Sequence, residues 1–316
     1  MARILANDGI DPIGKKLLED AGFTVDTQTV PQDQLVAALQ NYDGLTVRSA
    51  TKVRKELIDA CPNLKLIGRG GVGMDNIDVE YARSKGVTVV NTPAASSLSV
   101  AELVFSHLFT GVRFLQDANR KMPVEGNTKF NDLKKAYAKG IELRGKTIGI
   151  IGFGRIGRET AAVALGLGMN VLAYDLFPFS GNITLNLTLG IKVEIPVTTV
   201  SLEEVIANSD FISLHTPFAD KPILGAAEFA AMKNGVGVVN CSRGGTIDET
   251  ALIEALNSGK VSFAGLDVFD NEPTPAAEIL SHPKISLTPH IGASTNEAQE
   301  RIGTELANLI IDHFKG

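Results

Sequence analysis

Ile148-Gly149-Ile150-Ile151-Gly152-Phe153-Gly154-Arg155-Ile156-Gly157 joins a short apolar run to a glycine-spaced turn, and a helical stretch from Arg158 to Leu167 follows. A strand, a GxGxxG turn and a helix in that order form a phosphate cradle. The glycines allow a tight bend and close backbone approach, and the helix N-terminus offers unpaired N–H groups to a pyrophosphate. The next apolar run ends in Asp175, roughly 20 residues beyond the motif, where an acidic residue accepts from the ribose hydroxyls of a dinucleotide. Leu176 and Phe177 follow it, so no arginine stands by to welcome a 2′-phosphate. The cofactor expected is therefore NAD rather than NADP.

Outward from this unit, short apolar runs alternate with helical patterns along the whole chain. Strands are expected at Arg3–Ala6, Thr24–Thr27, Gly44–Val47, Leu64–Gly68 and Thr88–Val90. A second series comprises Thr147–Ile151, Asn170–Tyr174, Phe211–Leu214, Val236–Asn240, Phe263–Leu266 and Ile285–Leu287. Two such series predict an α/β protein of two Rossmann-like domains with doubly wound parallel sheets. Helix starts are expected at three capping-box patterns, Ser99 to Glu102, Ser201 to Glu204 and Ser294 to Glu297. The helix from Val100 to about Leu115 is apolar nearly all round and must be buried on several sides. Residues 177–199, rich in Thr, Asn and Leu with Gly and Pro breakers, read as loop or short strand.

The 316 residues suit two domains, with 44% hydrophobic and 21% charged residues. No apolar run reaches the roughly 20 residues of a membrane span, and the early polar residues Asn7 and Asp8 do not fit a secretory signal. Cys61 and Cys241 lack disulfide-framework or metal-ligand spacing, so no metal is expected and a reducing cytoplasm is. A net charge of −6 argues against nucleic acid as a partner. A small anionic substrate remains compatible with it.

Ligands of open α/β sheets sit beyond the carboxyl ends of the strands. Those ends in the second series are Gly152, Asp175, His215-Thr216-Pro217, Cys241-Ser242-Arg243, Asp267 and Pro289-His290. Dehydrogenation of a hydroxy acid needs a base for the hydroxyl proton and a cation for the carboxylate. Of the five histidines, His107 reads as a core residue of the apolar helix, His282 as a turn residue and His313 as part of the last helical turn. His215 belongs to the dinucleotide sheet and is expected to line the cofactor. His290 is the better base, with Glu272 to fix its tautomer and Arg243 for a bidentate grip on a carboxylate.

These motifs together resemble the D-isomer-specific 2-hydroxyacid dehydrogenase family, and most closely its 3-phosphoglycerate dehydrogenase branch. The resemblance spans nearly the whole chain. It rests on Val47-Arg48-Ser49-Ala50-Thr51, Gly70-Gly71-Val72-Gly73-Met74-Asp75-Asn76 and Ser99-Val100-Ala101-Glu102-Leu103. It continues in Gly152 to Gly157, Asn240 to Gly245, Gly265 to Phe269, Asn271-Glu272-Pro273 and Pro289 to Thr295. The resemblance implies a discontinuous substrate domain, residues 1–98 and 290–316, around an inserted NAD-binding domain, residues 99–289. It implies Arg243, Glu272 and His290 as the catalytic trio. For NAD it implies contacts from Arg155, Ile156, Asp175, Thr216, Cys241, Asp267 and Gly292, to which the strand ends add His215, Pro217 and Ser242. Substrate contacts are expected from Arg48, Ser49, Gly71, Val72, Gly73 and Ser96, with Arg48 reading a phosphate.

The activity this implies is oxidation of 3-phospho-D-glycerate to 3-phosphohydroxypyruvate by a homodimer or higher homo-oligomer. Hydroxypyruvate or glyoxylate reduction and D-lactate dehydrogenation share the trio and stay open. So does an NAD-sensing corepressor role, which belongs to another functional class. The sequence departs from the family pattern at Ser96, where asparagine is usual, and at Val72, where threonine is common. It has no tryptophan, although one is common in the region Met122 to Gly140. After its last helix no regulatory domain is expected.

Overall fold

The structure, a computed structural model, describes residues 2–218 and 220–316. It divides into two compact units, Met1–Ser99 with Ala293–Gly316, and Val100–Gly292. The chain thus leaves the first unit once and returns to it, and one parallel-sheet domain is inserted into the other.

The first unit carries β1 (Arg3–Ala6), β2 (Thr24–Asp26), β3 (Gly44–Val47), β4 (Leu66–Arg69) and β5 (Thr88–Asn91), all parallel, in the order β2-β1-β3-β4-β5. Strand β3 is buried along its whole length, as its continuous apolar character requires of a strand covered on both faces. The terminal helix Asn296–Lys315 packs on the helix Pro12–Asp20. A Cβ at Gly14 would lie 2.8 Å from Gly303 Cα, so only glycine permits that approach. Ile4, Leu18, Leu66, Leu306 and Ile310 fill the space below.

The inserted unit carries β6 (Thr147–Ile151), β7 (Asn170–Tyr174), β8 (Ser180–Asn186), β9 (Lys192–Thr198), β10 (Phe211–Leu214), β11 (Val236–Asn240), β12 (Val261–Leu266) and β13 (Ile285–Leu287). Its parallel sheet has the order β13-β12-β11-β10-β6-β7. The strand order reverses between β6 and β10, the crevice where dinucleotides bind in such folds. Two apolar layers cover it, one around Ile212, Val238 and Leu252, the other around Val104, Leu108, Ile148 and Phe153.

Four expectations need correction. Residues 177–199 form neither loop nor single strand: β8 and β9 make an antiparallel hairpin. Its period-2 pattern runs through Ile183, Leu185, Ile191, Val193 and Ile195, and Gly190 turns the chain at φ +75°. The first long helix starts at Ser97 and ends at Val112, so Ser99 lies inside it rather than at its N-cap. Phe109 on this helix is exposed, whereas Val104, Phe105, Leu108 and Val112 are buried. At the last helix the capping oxygen belongs to Thr295, which accepts from Ala298 N at 3.2 Å, rather than to Ser294. The second crossover of the chain falls after Gly292 rather than before His290, because Asp267 holds residues 290–292 to the inserted sheet. Among the described residues, no single helix is long and apolar enough to cross a membrane.

Candidate active site

Gly152 ends β6 with φ +94°, and a Cβ there would lie 2.7 Å from the His215 carbonyl oxygen. The helix Arg155–Gly166 then starts at Gly154 with no side-chain cap, so the N-cap residue offers its first-turn N–H groups no acceptor of its own. A Cβ at Gly154 would meet nothing within 4 Å, whereas one at Gly157 would run into Gly152. One glycine serves packing, and the other leaves an open approach to the backbone. Above the turn, Asp175 accepts from Phe153 N at 2.6 Å and Phe177 N at 2.9 Å. The carboxylate is held in place with lone pairs to spare.

At the end of β10, His215 Nδ1 and Thr216 Oγ1 are buried without a hydrogen-bond partner. Such orphans are costly unless a ligand satisfies them. Burial lowers the His215 pKa to about 3, so the ring is neutral and presents a lone pair or one N–H. The open glycine cradle, the uncapped helix, the fixed Asp175 and these orphans fit a dinucleotide. Pro217 continues the same loop.

Asn240 ends β11 and organises the next loop. Its carbonyl Oδ1 accepts from Ser242 N and Oγ, and its Nδ2 donates to the Arg243 carbonyl at 2.9 Å. Cys241 is buried between them, and burial together with the charge of Asp267 pushes its thiol well above the usual range. It is a neutral wall residue, not a nucleophile.

Arg243 and Glu272 sit on neighbouring loops. Burial pushes the Glu272 carboxyl up, but the His290 hydrogen bond and charge, the Phe269 N–H and the Arg243 charge outweigh it and leave the group below its ordinary value. Its Oε1 accepts from Phe269 N at 3.0 Å and its Oε2 lies 2.8 Å from His290 Nδ1. Nδ1 thus donates to the carboxylate, which leaves Nε2 as the ring's exchangeable position. His290 has φ +55°, a left-handed backbone that costs about 1–3 kcal/mol outside glycine. Three bonds to Asp267 overcome that preference. The Asp267 carbonyl accepts from His290 N, and its carboxylate accepts from Ile291 N and Gly292 N, each at 2.8 Å. An apolar cavity of about 420 Å³, lined by Phe269, Pro273, Leu280 and Leu287, borders the pair.

Both oxygens of Asp267 are therefore occupied by protein donors, Thr288 Oγ1 included at 2.6 Å. Strand-end position alone did not reveal that this residue fixes the His290 turn. Among the described residues no cluster of three or more His, Cys, Asp or Glu side chains converges.

In the other unit, Arg48 follows β3. Its N–H donates to Asp8 at 2.6 Å and its guanidinium donates to Gln299. Asp43, the acid available for a simple surface pair, is taken by Lys65 at 2.9 Å instead. Ser49 is exposed, and Val72 accepts from Asn91 Nδ2 at 2.7 Å. Gly73 is half-buried, while Ser96 is buried. Sequence reading missed Arg69. It ends β4 beside Val47, and its guanidinium occupies the place of a side chain at Gly71, where a Cβ would lie 2.7 Å from Cζ. The signal was available: a charged residue at a strand's carboxyl end, as Arg48 is.

Residues 105–292 match the D-isomer specific 2-hydroxyacid dehydrogenase, NAD binding domain. The D-3-phosphoglycerate dehydrogenase of Rattus norvegicus is 42% identical over 319 residues, covering 100% of this chain and 57% of that protein. The chain thus spans little more than half the length of that relative. The hydroxypyruvate reductase of Thermotoga maritima is 44% identical over 315 residues, covering 98% of this chain and 97% of that protein. Among solved structures, D-mandelate dehydrogenase of Rhodotorula graminis is similar with a TM-score of 0.84 and 26% identity. That match covers 98% of this chain and 93% of that one.

Proposed function

The chain belongs to the D-isomer-specific 2-hydroxyacid dehydrogenase family, and on that premise we propose that it interconverts a D-2-hydroxy acid and its 2-keto acid. NAD, bound in its Rossmann domain, supplies or receives the hydride. The observation that carries the proposal is the His290–Glu272 pair, 2.8 Å apart, with Arg243 close enough to lower the carboxyl. His290 removes the hydroxyl proton in oxidation and returns it in reduction. Glu272 keeps the hydrogen on Nδ1 and stabilises the imidazolium. Arg243 grips the substrate carboxylate in two parallel hydrogen bonds. The expected NAD contacts follow the strand ends described above.

The finer reading is that the substrate is 3-phospho-D-glycerate. Two guanidinium groups support it, Arg48 and Arg69, at the carboxyl ends of adjacent strands β3 and β4. Together they suit a dianionic phosphate better than an uncharged hydroxymethyl group. A second reading, reduction of unphosphorylated hydroxypyruvate, is favoured by the Thermotoga relative, which matches the chain along 97% of its own length.

NADH oxidation across a panel of 2-keto acids, each with and without a 3-phosphate where one exists, separates these readings. Preference for 3-phosphohydroxypyruvate is expected, and His290→Ala should lose roughly 10²–10⁴-fold in kcat. Equal efficiency on hydroxypyruvate favours the second reading. No turnover of any 2-keto acid overturns the proposal.

A further inference from the structure

His107 lies in the middle of the helix Ser97–Val112 and is 2% exposed. Buried ring nitrogens require polar partners, and the partners this ring takes lead toward the His290 turn. Nδ1 lies 2.9 Å from Ser286 Oγ and Nε2 lies 3.0 Å from Thr288 Oγ1. Thr288 in turn donates to Asp267 Oδ1 at 2.6 Å.

The direction of this chain follows from counting protons. A threonine hydroxyl has one hydrogen to give, and Thr288 gives it to the carboxylate. Toward His107 the same oxygen can only accept. Nε2 must therefore carry the ring hydrogen, Nδ1 must accept, and Ser286 must donate. The scheme requires a neutral imidazole, and burial lowers His107 to about 4. The sheet also makes room for the ring. At Gly265 of β12, a Cβ would lie 2.7 Å from His107 Cγ.

The far end of the relay is Asp267, itself 1% exposed. Its two carboxylate oxygens and its carbonyl take the three successive N–H groups of His290, Ile291 and Gly292. Those bonds hold His290 in its left-handed conformation and its Nδ1 on Glu272. We propose that His107 is a positioning residue, whose relay through Thr288 to Asp267 sets the orientation of His290. The proposal rests on the reading of His290 as the proton-transfer group.

A leucine at 107 would fill similar space but would leave the Ser286 and Thr288 hydroxyls without their buried partner. Thr288 could then rotate, and the Asp267 carboxylate would lose one of its three donors. Glutamine can set an amide nitrogen near the Nε2 position and still donate to Thr288.

The test compares His107→Leu, His107→Gln and Ser286→Ala in the full chain. It reads kcat, the KM for NADH, and the downfield proton resonance of the His290–Glu272 hydrogen bond. His107→Leu should lower kcat about tenfold, part of the roughly 10²-fold that an ångström of misplacement can cost. Its KM for NADH should hold, and its His290 resonance should broaden or vanish. His107→Gln should restore most of the rate and the resonance. Ser286→Ala, which frees only the tautomer, should show a smaller loss in the same direction.

A leucine variant with unchanged kcat and resonance, and only a lower Tm, overturns the proposal and leaves His107 a core residue. Should that variant fail to fold, unchanged rate and resonance in Ser286→Ala overturn it equally. If the unsubstituted protein turns over no 2-keto acid, the functional reading fails. The resonance still decides the relay, because it needs no substrate.

Discussion

On the proposed reading, Asp175 concentrates the choice of cofactor in one carboxylate. It is fixed by two backbone N–H groups, so it meets an incoming ribose without first giving up rotamer freedom. The same negative charge repels a 2′-phosphate. NAD should therefore exceed NADP in kcat/KM, and Asp175→Ala should cost about 1.5–3 kcal/mol with NAD, the size of a lost charged hydrogen bond. NADP should lose far less, so the preference shrinks by at least tenfold. Equal use of both cofactors by the unsubstituted enzyme would defeat this reading.

Asp175 was legible because its place follows from a motif with fixed spacing. His290 was readable as a histidine beyond a strand end and Glu272 only as the nearest loop acid before it, and their separation was not readable at all. Arg69 and Asp267 show where such reading stops. The environment of Arg69 depends on a bare Gly71 two residues away, and the donors to Asp267 come from a turn more than twenty residues later.

At the scale of elements, the parallel strands were readable because strands buried on both faces are nearly continuous apolar runs. Helix ends were less so, since serine is common both as a cap and inside a first turn. The hairpin of β8 and β9 was obscured because alternating Thr, Asn and Leu fit several conformations until a partner strand is present.

Burial of histidines on the long helix and on the loop after β10 has a consequence for acid stability. Burial lowers His107 to about 4 and His215 to about 3, both from 6.5. A histidine held neutral in the fold contributes its stability above the unfolded value. That contribution is lost as pH falls from about 6.5 toward the folded value, because only the unfolded chain takes up the proton. Near pH 5 the two groups together take up between one and two protons on unfolding, a slope of roughly 2–3 kcal/mol per pH unit. Urea unfolding at a series of pH values between 5 and 6 should show stability falling with acid. His107→Leu should reduce the slope by roughly half. An unchanged slope would mean that the ring takes up its proton in the folded state as well.

At the scale of the molecule, the chain builds one parallel-sheet unit from both termini and inserts another between them. The packing of the terminal helix through Gly303 onto Gly14 returns the chain to its first unit. All residues expected to hold NAD belong to the inserted unit, whereas Arg48 and Arg69 belong to the other. This division separates two quantities that an experiment can read independently. Arg48→Ala should leave the Kd for NAD unchanged, because no expected cofactor contact shares its unit. On 3-phosphohydroxypyruvate it should cost about 1.5–3 kcal/mol in kcat/KM, one charged hydrogen bond to the phosphate. On hydroxypyruvate the cost should be much smaller, since that substrate has no phosphate for the guanidinium to hold. Similar losses on both substrates would assign Arg48 to the carboxylate they share, and the unphosphorylated acid would then become the better candidate. A change in NAD affinity of the same size would instead show that the substitution disturbs more than the group it removes. Its Gln299 partner on the terminal helix provides the control, because Gln299→Ala releases the guanidinium without removing its charge. That variant should keep most of the discrimination between the two substrates.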